Sequence, residues 1–514
     1  MKESGLDPQF QKSRGNVAEN DSLEPDEGEI IQENDPVLLQ KKIEDLEKQI
    51  IVLEYAVQDR IDERDELTEL IQQRESSLSW KLGQAYGRIF PRNSALTNGI
   101  SKLLTRIIWI SQKSRSITND PGHEKKSELK NELTKILKDN QDNCRGIILY
   151  PPTVDWDFPL FERPHQLALA LADLGYLVLF STAWQRFDNV SGFHKIKDRC
   201  YVTDQYPLLV NELPRFYCLL LSTNITLPLS EVQKLKNKSV IIYDYLDEIS
   251  EKITPGRPID NLRRRNEYML RNADIILATA DSLYDHAFKK RGRDVFLNPN
   301  GVDYFHFHIK RNTHSLLSDI KPIIEKGHPV IGYFGAFASW VDYPLIKKLA
   351  AERPGYEIVL IGWDWDGLFK DQELEKYPNI HYLGVKKYSV LPQYAIWFDV
   401  SMIPFVKSKI TRATSPVKLF EYMALGNPIV TTEMPECMKY QSVLIGRDHE
   451  EFIRKIDLAL EYREDKEYIA SLDKEARENT WTARAVVIDK IITSMDKKIK
   501  DDNPLRNTPE KTGR

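Results

Sequence analysis

The amino-acid sequence predicts an α/β protein with two doubly wound parallel-sheet domains, because two series of apolar segments alternate with helical patterns. The first series is GIILY, YLVLF, YCLLLS, SVIIYDYL, DIILATA and VFLNPNG, and the second is PVIGYFG, YEIVLIG, IHYLG, DVSMIP, NPIVTT and SVLIG. Near-continuous hydrophobic strands separated by helices are typical of parallel sheets that are covered on both faces. Two series of similar length therefore indicate two such sheets, with a break in the polar stretch 304–328.

The order of these segments predicts the domain boundaries in a chain of 514 residues, which is long enough for two or three domains. We expect a first Rossmann-like domain over residues 144–310 and a second over residues 311–482. A last helix, predicted over residues 483–497, is expected to return to the first domain. The polar residues 498–514 are expected to form a disordered tail.

The N-terminal residues carry most of the negative charge. Residues 1–35 hold ten acidic and three basic side chains, and the whole chain has a net charge of −5, so the remaining residues sum to +2. A nucleic-acid-binding protein would show a strongly basic domain, and none is present. We expect residues 1–35 to be a disordered, solvated acidic arm.

Residues 36–80 show the apolar repeat of a coiled coil. Its apolar positions recur at alternating steps of four and three and are Leu39, Ile43, Leu46, Ile50, Leu53 and Val57, followed after an interruption by Leu67, Ile71 and Leu78. Such a repeat predicts self-association of copies of this chain through residues 39–78. The alternative is a single long helix that packs on its own globular domain. The mixture of Leu and Ile does not choose between a dimer and a trimer.

An amphipathic helical segment and a linker are predicted over residues 81–143. Within it, residues 100–115 alternate apolar side chains with lysine and arginine and include Trp109. A basic amphipathic helix of this kind can lie on an anionic membrane surface. It can equally cover a groove on the globular domain, and the sequence leaves both interpretations open.

The expected location is the cytoplasm, with peripheral attachment to the inner face of the membrane if residues 100–115 contact lipid. No apolar run reaches the roughly 18 residues that span a bilayer, and the N-terminus is too acidic for a signal peptide. The cysteines are scattered without metal-ligand spacing, which indicates reduced thiols. They are Cys144, Cys200, Cys218 and Cys437.

The stretch TSPVKLFEYMALGNPIVTT predicts a short helix with an anion at its start. Ser415 is expected to be the N-cap, Pro416 the first helical residue and Gly426 the left-handed C-cap. Lys418 lies in the first turn, where the helix dipole disfavours a cation unless an anion is nearby. The helix therefore predicts an anion-binding site.

Further candidate residues lie in loops that follow predicted strands, where ligands bind in open parallel sheets. These loops are PPTVDWDFPLFERPHQ, LNPNGVD, YFGAFASWVD and IGWDWDG. The two DWD elements, residues 155–157 and 364–366, do not by themselves predict a metal site, because a metal requires additional converging ligands that the sequence does not show.

Several of these motifs together resemble one family. The segments ERPHQLALALADLGYLV, NPNGVD, YFGAF, LIG and SPVKLFEYMALGNPIV, in this order, resemble the GT-B-type glycosyltransferases, in particular family 4 (group 1) and its bacterial surface-polysaccharide members. The resemblance covers roughly residues 145–497. It implies the GT-B fold, in which two Rossmann-like domains face a cleft, the first binding the acceptor and the second a nucleoside-diphosphate-sugar donor.

The resemblance implies roles for the helix after Thr414. Ser415, Pro416 and Val417 at its start would face the donor diphosphate, Lys418 would neutralise phosphate charge, and Glu421 would accept hydrogen bonds from ribose hydroxyls. Lys418 and Glu421 are three residues apart, so one helix face presents both. The resemblance further implies retention of the anomeric configuration, with the leaving phosphate assisting deprotonation of the acceptor and with no metal, cofactor or protein nucleophile.

Other candidates for the donor side have ordinary alternatives. Gly335 and Ala336 are small enough for a backbone to approach the donor closely. Asn300 and Gly301 are expected to shape the cleft near the donor, unless they form an ordinary turn. Trp363 is expected to stack on the base, although a packing role is an equal alternative.

In the first domain, His165 and Arg163 are candidates beside the donor phosphate or the acceptor, and His165 is a candidate catalytic residue. The alternative for His165 is a capping or core histidine. Asp244 and the candidate catalytic Asp247 are expected to line the acceptor side, unless they are solvated carboxylates at a strand end.

The sequence departs from the family pattern at two places. Ala413 stands where the family often has a glutamate that contacts the donor sugar, and Ala336 and Trp340 stand where basic phosphate ligands are often found. We expect a glycosyltransferase that acts on a glycan or lipid-linked acceptor in cell-surface polysaccharide or glycoconjugate assembly. The alternatives are a degenerate GT-B scaffold that acts through its coiled coil and a nucleotide-sugar epimerase.

Overall fold

The computed structural model describes residues 122–158, 160–183, 187–224, 227–250, 259–311 and 315–502. The predictions for the acidic arm, the coiled coil, the self-association and the membrane contact lie outside the described residues. They concern residues 1–35, 36–80, 39–78 and 100–115.

The first domain is built on an eight-stranded sheet with the order β3-β4-β2-β1-β5-β6-β7-β8. All neighbouring strands are parallel except β3 and β4, which pair antiparallel. The strands are β1 (Ile147–Tyr150), β2 (Leu177–Ser181), β3 (Phe193–Lys197), β4 (Cys200–Thr203), β5 (Phe216–Leu221), β6 (Ser239–Tyr245), β7 (Ile275–Ala278) and β8 (Val295–Leu297). The six predicted strands of the first series are present. The short pair β3–β4 lies at a sheet edge, and the residues of β3 are partly exposed, so their sequence lacks a continuous apolar run.

The second domain has a six-stranded, fully parallel sheet with the order β11-β10-β9-β12-β13-β14. The strands are β9 (Val330–Phe334), β10 (Glu357–Ile361), β11 (Ile380–Tyr382), β12 (Val400–Ile403), β13 (Ile429–Thr432) and β14 (Val443–Gly446). Each corresponds to one segment of the second predicted series. The order reverses between β9 and β12, which places a ligand-binding crevice at their carboxyl ends.

Helices cover both sheets. They are α1 (Gly122–Asp139), α2 (Arg163–Asp173), α3 (Tyr206–Glu212), α4 (Leu229–Lys238), α5 (Asp260–Asn272), α6 (Asp281–Arg291), α7 (Tyr304–Phe307), α8 (Lys321–Ile324), α9 (Tyr343–Glu352), α10 (Leu391–Ala395), α11 (Lys409–Arg412), α12 (Val417–Leu425), α13 (His449–Glu461), α14 (Lys466–Glu478) and α15 (Trp481–Asp502). Helix α1 corrects the predicted linker at the end of 81–143. It forms because Leu133 and Ile136 are buried in the core of the first domain.

Helix α15 returns from the second domain and packs on the first. Its apolar face joins the hydrophobic cluster that contains α2, β1 and β2. Two carboxylates on α15 accept hydrogen bonds from tyrosines of the first domain, at 2.9 Å between Asp489 and Tyr176 and 2.5 Å between Asp496 and Tyr217. The helix continues to Asp502, so the start of the segment predicted as a disordered tail, 498–514, is helical.

A buried glutamate at the start of β10 contacts three basic side chains of the second domain. Glu357 is 2% exposed, and its carboxylate lies 2.5 Å from His381 Nε2, 2.8 Å from His328 Nδ1 and 2.9 Å from Lys326 Nζ. Burial alone would raise the pKa of Glu357, but the hydrogen bonds from these three side chains outweigh it and lower the pKa to about 2. The ionised carboxylate therefore stabilises the folded second domain.

We expect Glu357→Gln to lower the free energy of unfolding at neutral pH by about 2 kcal/mol, because a buried charge-assisted network is lost. The folded pKa lies below the unfolded value of 4.5, so the contribution is complete above pH 4.5 and is lost as the pH falls towards 2. Urea unfolding at neutral and acidic pH measures the difference, which should shrink on acidification. Glu433→Gln, which removes an exposed ion pair with Lys407, is the matched control and should change stability little. An equal loss at every pH would contradict the assignment of the effect to the carboxylate charge.

Candidate functional site

Helix α12 begins differently from the predicted capping pattern. Its first helical residue is Val417, and Pro416 is the extended N-cap without a side-chain cap. The Ser415 hydroxyl does not cap the helix, because it accepts a hydrogen bond from the backbone N–H of Asn300 at 3.2 Å. The helix ends as predicted at Gly426, whose φ of 74° is left-handed. The first-turn amide groups therefore lack a cap from Ser415 or Pro416.

Lys418 is the cation in the first turn of α12. It is half-buried, and its ammonium nitrogen lies 4.9 Å from the centre of the Phe405 ring and 5.4 Å from that of Tyr333. Within the described residues, no carboxylate lies within 4.0 Å of this nitrogen. Burial lowers the pKa of Lys418 to about 8, whereas the more distant Glu421 and Glu162 favour the charged form. An anion at this position would satisfy the cation.

The backbone after β9 lies directly against Lys418. Gly335 has a φ of +139°, and a Cβ atom there would lie 2.7 Å from Lys418 Cε. A Cβ atom on Gly362, at the end of β10, would lie 1.8 Å from the Gly335 carbonyl oxygen. Both glycines are thus required for this close packing. The neighbouring Ala336 accepts a hydrogen bond from the Tyr333 hydroxyl at 2.8 Å through its carbonyl oxygen.

Glu421 lies one turn after Lys418 and is 5% exposed. Burial raises the pKa of Glu421 to about 8, with Lys418 opposing the shift and Asp303 adding to it. No hydrogen-bond partner of its carboxyl group is found in the part of the chain that the structure describes. The group is therefore suited to hydrogen bonds with hydroxyl groups of a ligand.

Of two carboxyl groups of the first domain, Glu162 interacts electrostatically with Lys418 of this helix, and Asp247 interacts with Glu162. Glu162 precedes α2, and burial together with the charge of Asp247 raises its pKa to about 7, while Lys418 lowers it. Asp247 follows β6, and burial raises its pKa to about 6, while Arg163 lowers it. The Glu162 side chain is reached by solvent although protein surrounds it, as expected in a cleft. Perturbed titratable groups of both domains thus meet at one place, which is typical of functional sites.

Glu162 was not among the residues singled out from the sequence. The sequence feature that could have identified Glu162 is its position directly before Arg163, in the loop that follows the first strand, where ligands bind in open parallel sheets.

Arg163 and Asp244 form a buried ion pair instead of offering free groups to a ligand. They are 3% and 1% exposed, and the guanidinium donates two hydrogen bonds to the carboxylate at 2.7 and 2.9 Å. Arg163 also donates to the Pro299 carbonyl oxygen at 3.0 Å and to Asn300 Oδ1 at 3.3 Å. The solvated alternative for Asp244 is therefore wrong, whereas the role of Arg163 beside the donor phosphate or the acceptor and that of Asp244 on the acceptor side stay predictions.

His165 holds the start of α2. It is 0% exposed, its Nε2 lies 3.0 Å from the Asp155 carbonyl oxygen, and its Nδ1 accepts the Glu162 N–H at 3.1 Å. Burial lowers the pKa of His165 to about 4, against the effect of both hydrogen bonds. With both nitrogens engaged, the ring is a capping group, and the predicted catalytic role does not fit this arrangement.

Asn300 and Gly301 connect three parts of the molecule. Asn300 Nδ2 donates to the Ser415 carbonyl oxygen at 2.6 Å, and Arg484 of α15 donates to the Asn300 carbonyl oxygen at 2.9 Å. A Cβ atom on Gly301 would lie 2.8 Å from the carbonyl oxygen of Asn479. The turn therefore connects the first domain with helices α12 and α15. The Asn300 side chain already forms hydrogen bonds with Ser415 and Arg163.

Trp363 and Ala413 both contact the first domain. The Trp363 ring lies 5.7 Å from that of Phe158, which follows β1. Ala413 is 3% exposed and belongs to the hydrophobic cluster of the first domain. A glutamate at position 413 would thus enter an apolar environment, which agrees with the absence of an acid there.

Two searches of the described residues gave negative results. In residues 122–502, apart from the gaps given above, no group of three or more His, Cys, Asp or Glu side chains could hold a metal ion. No described helix is long and apolar enough to cross a membrane.

The second domain is similar to known sequences. Residues 328–461 match the family model described as glycosyl transferases group 1. Over 224 residues, or 41% of this chain, the sequence is 29% identical to TuaH of Bacillus subtilis (strain 168), whose name describes a glycosyltransferase of teichuronic acid biosynthesis. The alignment covers 55% of that relative, so this chain spans about half of its length.

Comparison with solved structures identifies the fold. Sucrose-phosphate synthase from Thermosynechococcus elongatus superimposes with a TM-score of 0.51 at 16% identity, over 69% of this chain and 100% of that one. The α,α-trehalose 6-phosphate synthase from Burkholderia multivorans gives 0.53 at 11% identity, over 72% and 100%. HepE of Anabaena, in complex with UDP, gives 0.51 at 15% identity, over 68% and 100%. The predicted GT-B fold and the resemblance to group 1 are confirmed.

Proposed function

We propose that this chain, which has the GT-B fold and whose residues 328–461 match the model of the group 1 glycosyl transferases, moves a sugar from a nucleoside-diphosphate-sugar donor to an acceptor. The donor binds to the second domain at α12, and the acceptor binds to the first domain across the cleft. The products are the glycosylated acceptor and a nucleoside diphosphate.

The observation that carries this proposal is the ammonium group of Lys418. It lies in the first turn of α12, beside Gly335, without a carboxylate within 4.0 Å among the described residues. The first-turn amides and this cation together favour a diphosphate, and they favour it more strongly when charge develops on the departing group. Such stabilisation requires no metal ion.

The remaining cleft groups suit the other parts of the two substrates. Glu421 accepts hydrogen bonds from the ribose hydroxyls. Glu162 and Asp247 face the cleft from the first domain and orient the acceptor hydroxyl. In a retaining transfer, the bond between the anomeric carbon and the phosphate oxygen breaks, the acceptor oxygen bonds to the same face of that carbon, and its proton passes to the departing phosphate.

The relatives suggest the setting of this reaction. The name of TuaH places that protein in teichuronic acid biosynthesis, so we propose a glycan or lipid-linked acceptor and a cytoplasmic role in cell-surface polysaccharide assembly. The Anabaena structure holds UDP, which makes UDP the first nucleotide to test.

A second candidate is a scaffold that has lost transfer activity. The observation in its favour is Ala413, at the position where the family often has an acid that contacts the sugar. Lys418 and the buried Glu421 favour a working donor site, because among the described residues no carboxylate lies within 4.0 Å of the ammonium group and no hydrogen-bond partner of the Glu421 carboxyl group is found.

A thermal-shift screen against UDP, GDP, dTDP, CDP and ADP, with and without EDTA, tests the donor site. A nucleotide at 100 times its dissociation constant adds about 2.7 kcal/mol to stability. We expect one nucleotide to act selectively, with no effect of EDTA, and we expect Lys418→Met to abolish the shift. A folded protein that responds to none of the nucleotides would favour the scaffold, and a response that EDTA removes would contradict metal independence.

A further inference from the structure

An exposed apolar and basic surface lies at the edge of the first domain. It is formed by residues 288–297, FKKRGRDVFL, which run from the end of α6 through β8, and we call it the α6–β8 edge. Phe288 is 45% exposed, Phe296 36% and Leu297 39%. Scattered single apolar residues on a surface are ordinary, but three large ones within ten residues form a patch.

The charge of this edge is opposite to that of the whole chain. Residues 288–297 contain four cations and one carboxylate, whereas the chain carries a net charge of −5. Arg293 is 81% exposed and lies 3.6 Å from Asp294. Lys289 is exposed and has no ion-pair partner in the described part of the chain. The other two cations are engaged, Lys290 with Glu267 at 3.0 Å and Arg291 with the Ala273 carbonyl oxygen at 2.5 Å.

The fold places the residues of the α6–β8 edge next to one another at the surface. Helix α6 ends at Gly292, whose φ of 74° turns the chain directly into β8. Strand β8 is the last strand of the sheet, so one of its edges has no neighbouring strand in the described structure. Phe296 and Leu297 are consecutive and point to opposite faces of the sheet. The apolar side chains therefore flank the sheet edge on both sides, next to the exposed cations Lys289 and Arg293.

We propose that the α6–β8 edge docks the first domain onto an anionic lipid surface. Phenylalanine side chains insert at the level of the lipid headgroups, and adjacent lysine and arginine side chains are attracted to anionic lipids. Strand addition by a protein partner fits less well, because a three-residue strand offers few backbone hydrogen bonds. None of the residues of this surface belongs to α12, and docking would hold the first domain beside lipid-linked molecules.

Vesicle sedimentation of the full chain tests the proposal. The vesicles contain phosphatidylcholine alone or phosphatidylcholine mixed with phosphatidylglycerol. We expect binding to the mixed vesicles only, weakening as salt is raised. The variant Lys289→Glu/Arg293→Glu should lower the partition coefficient by at least about tenfold, since each basic residue contributes about 1 kcal/mol near such a surface. Phe288→Ser/Phe296→Ser should also lower it.

Matched variants on the second domain control for general effects. Lys466→Glu/Lys474→Glu makes the same charge change on exposed residues of α14, and Met438→Ser removes an apolar side chain that is 52% exposed. Both controls should bind the mixed vesicles as the unaltered chain does. Retained nucleotide shifts in the edge variants would show that they are folded and that the donor site is independent.

Three results would overturn the proposal. The first is that the unaltered chain does not sediment with the mixed vesicles. The second is that the edge variants bind as tightly as the unaltered chain, which would assign any lipid contact to another segment. The third is that the edge variants lose self-association in light scattering without losing vesicle binding, which would make this edge a contact between copies.

Discussion

Replacement of Lys418 by methionine is expected to lower the rate of donor turnover by about 10²–10³-fold while leaving the folded protein at least as stable. Methionine keeps an unbranched apolar stem between Phe405 and Tyr333 and removes the charge. The ammonium group has no carboxylate within 4.0 Å among the described residues, and burial lowers its pKa to about 8. The charge is therefore unfavourable for the empty protein and favourable only once a phosphate is bound.

The measurement is the release of nucleoside diphosphate from the nucleotide sugar whose base the thermal-shift screen identifies. Lys474→Met, which alters an exposed lysine of α14, is the matched control and should leave turnover and melting temperature unchanged. A structural role for Lys418 predicts the opposite pattern, in which Lys418→Met lowers the melting temperature and changes turnover only in proportion to the unfolded fraction.

The sheet cores were predictable because their sequence pattern depends on burial alone. Strands such as β2 and β10 are buried along their whole length, and this appears in the sequence as an uninterrupted apolar run. Strand β3 and helix α1 escaped prediction for a related reason. Both lie at the margin of the first domain and bury only part of their surface, so their sequences resemble those of loops and linkers.

The shared helix face of Lys418 and Glu421 was predictable from local spacing, whereas the contacts of the first domain were not. Lys418 and Glu421 share a helix face because they are three residues apart. By contrast, Arg163 is 81 positions from Asp244 and 137 from Asn300, so no local pattern reveals that these side chains meet. Arg163 and His165 belong to the ERPHQ motif, which resembles that of a glycosyltransferase family. In this structure, however, both side chains form hydrogen bonds with other groups of the protein.

The largest effect on the free energy of unfolding is expected at the buried ion pair of Arg163 and Asp244. Arg163→Met should lower the free energy of unfolding by about 3 kcal/mol, because it leaves Asp244, which is 1% exposed, as a buried charge without a counter-ion. Asp244→Asn in the same chain should recover part of the loss, since the uncompensated charge is then removed. Recovery should be incomplete, because the carbonyl oxygen of Pro299 and Asn300 Oδ1 still lack their donor.

Urea unfolding of the two single variants and the double variant gives the coupling energy of the pair through a double-mutant cycle. Strictly additive effects would show that the ion pair contributes nothing beyond its separate side chains. Arg145→Met, which removes a half-exposed ion pair with Asp489 on the same domain, is the matched control and should cost far less.

The same variants test how the two domains are held together. Arg163 contacts Asn300, and Asn300 in turn holds the Ser415 hydroxyl and carbonyl oxygen immediately before α12. If this chain of contacts positions the donor helix, Arg163→Met should weaken the nucleotide shift even under conditions where the protein is fully folded. Asp244→Asn alone should weaken it less, because Arg163 keeps its hydrogen bonds to the Pro299–Asn300 turn. Equal nucleotide shifts in both variants would confine the ion pair to stabilising the first domain.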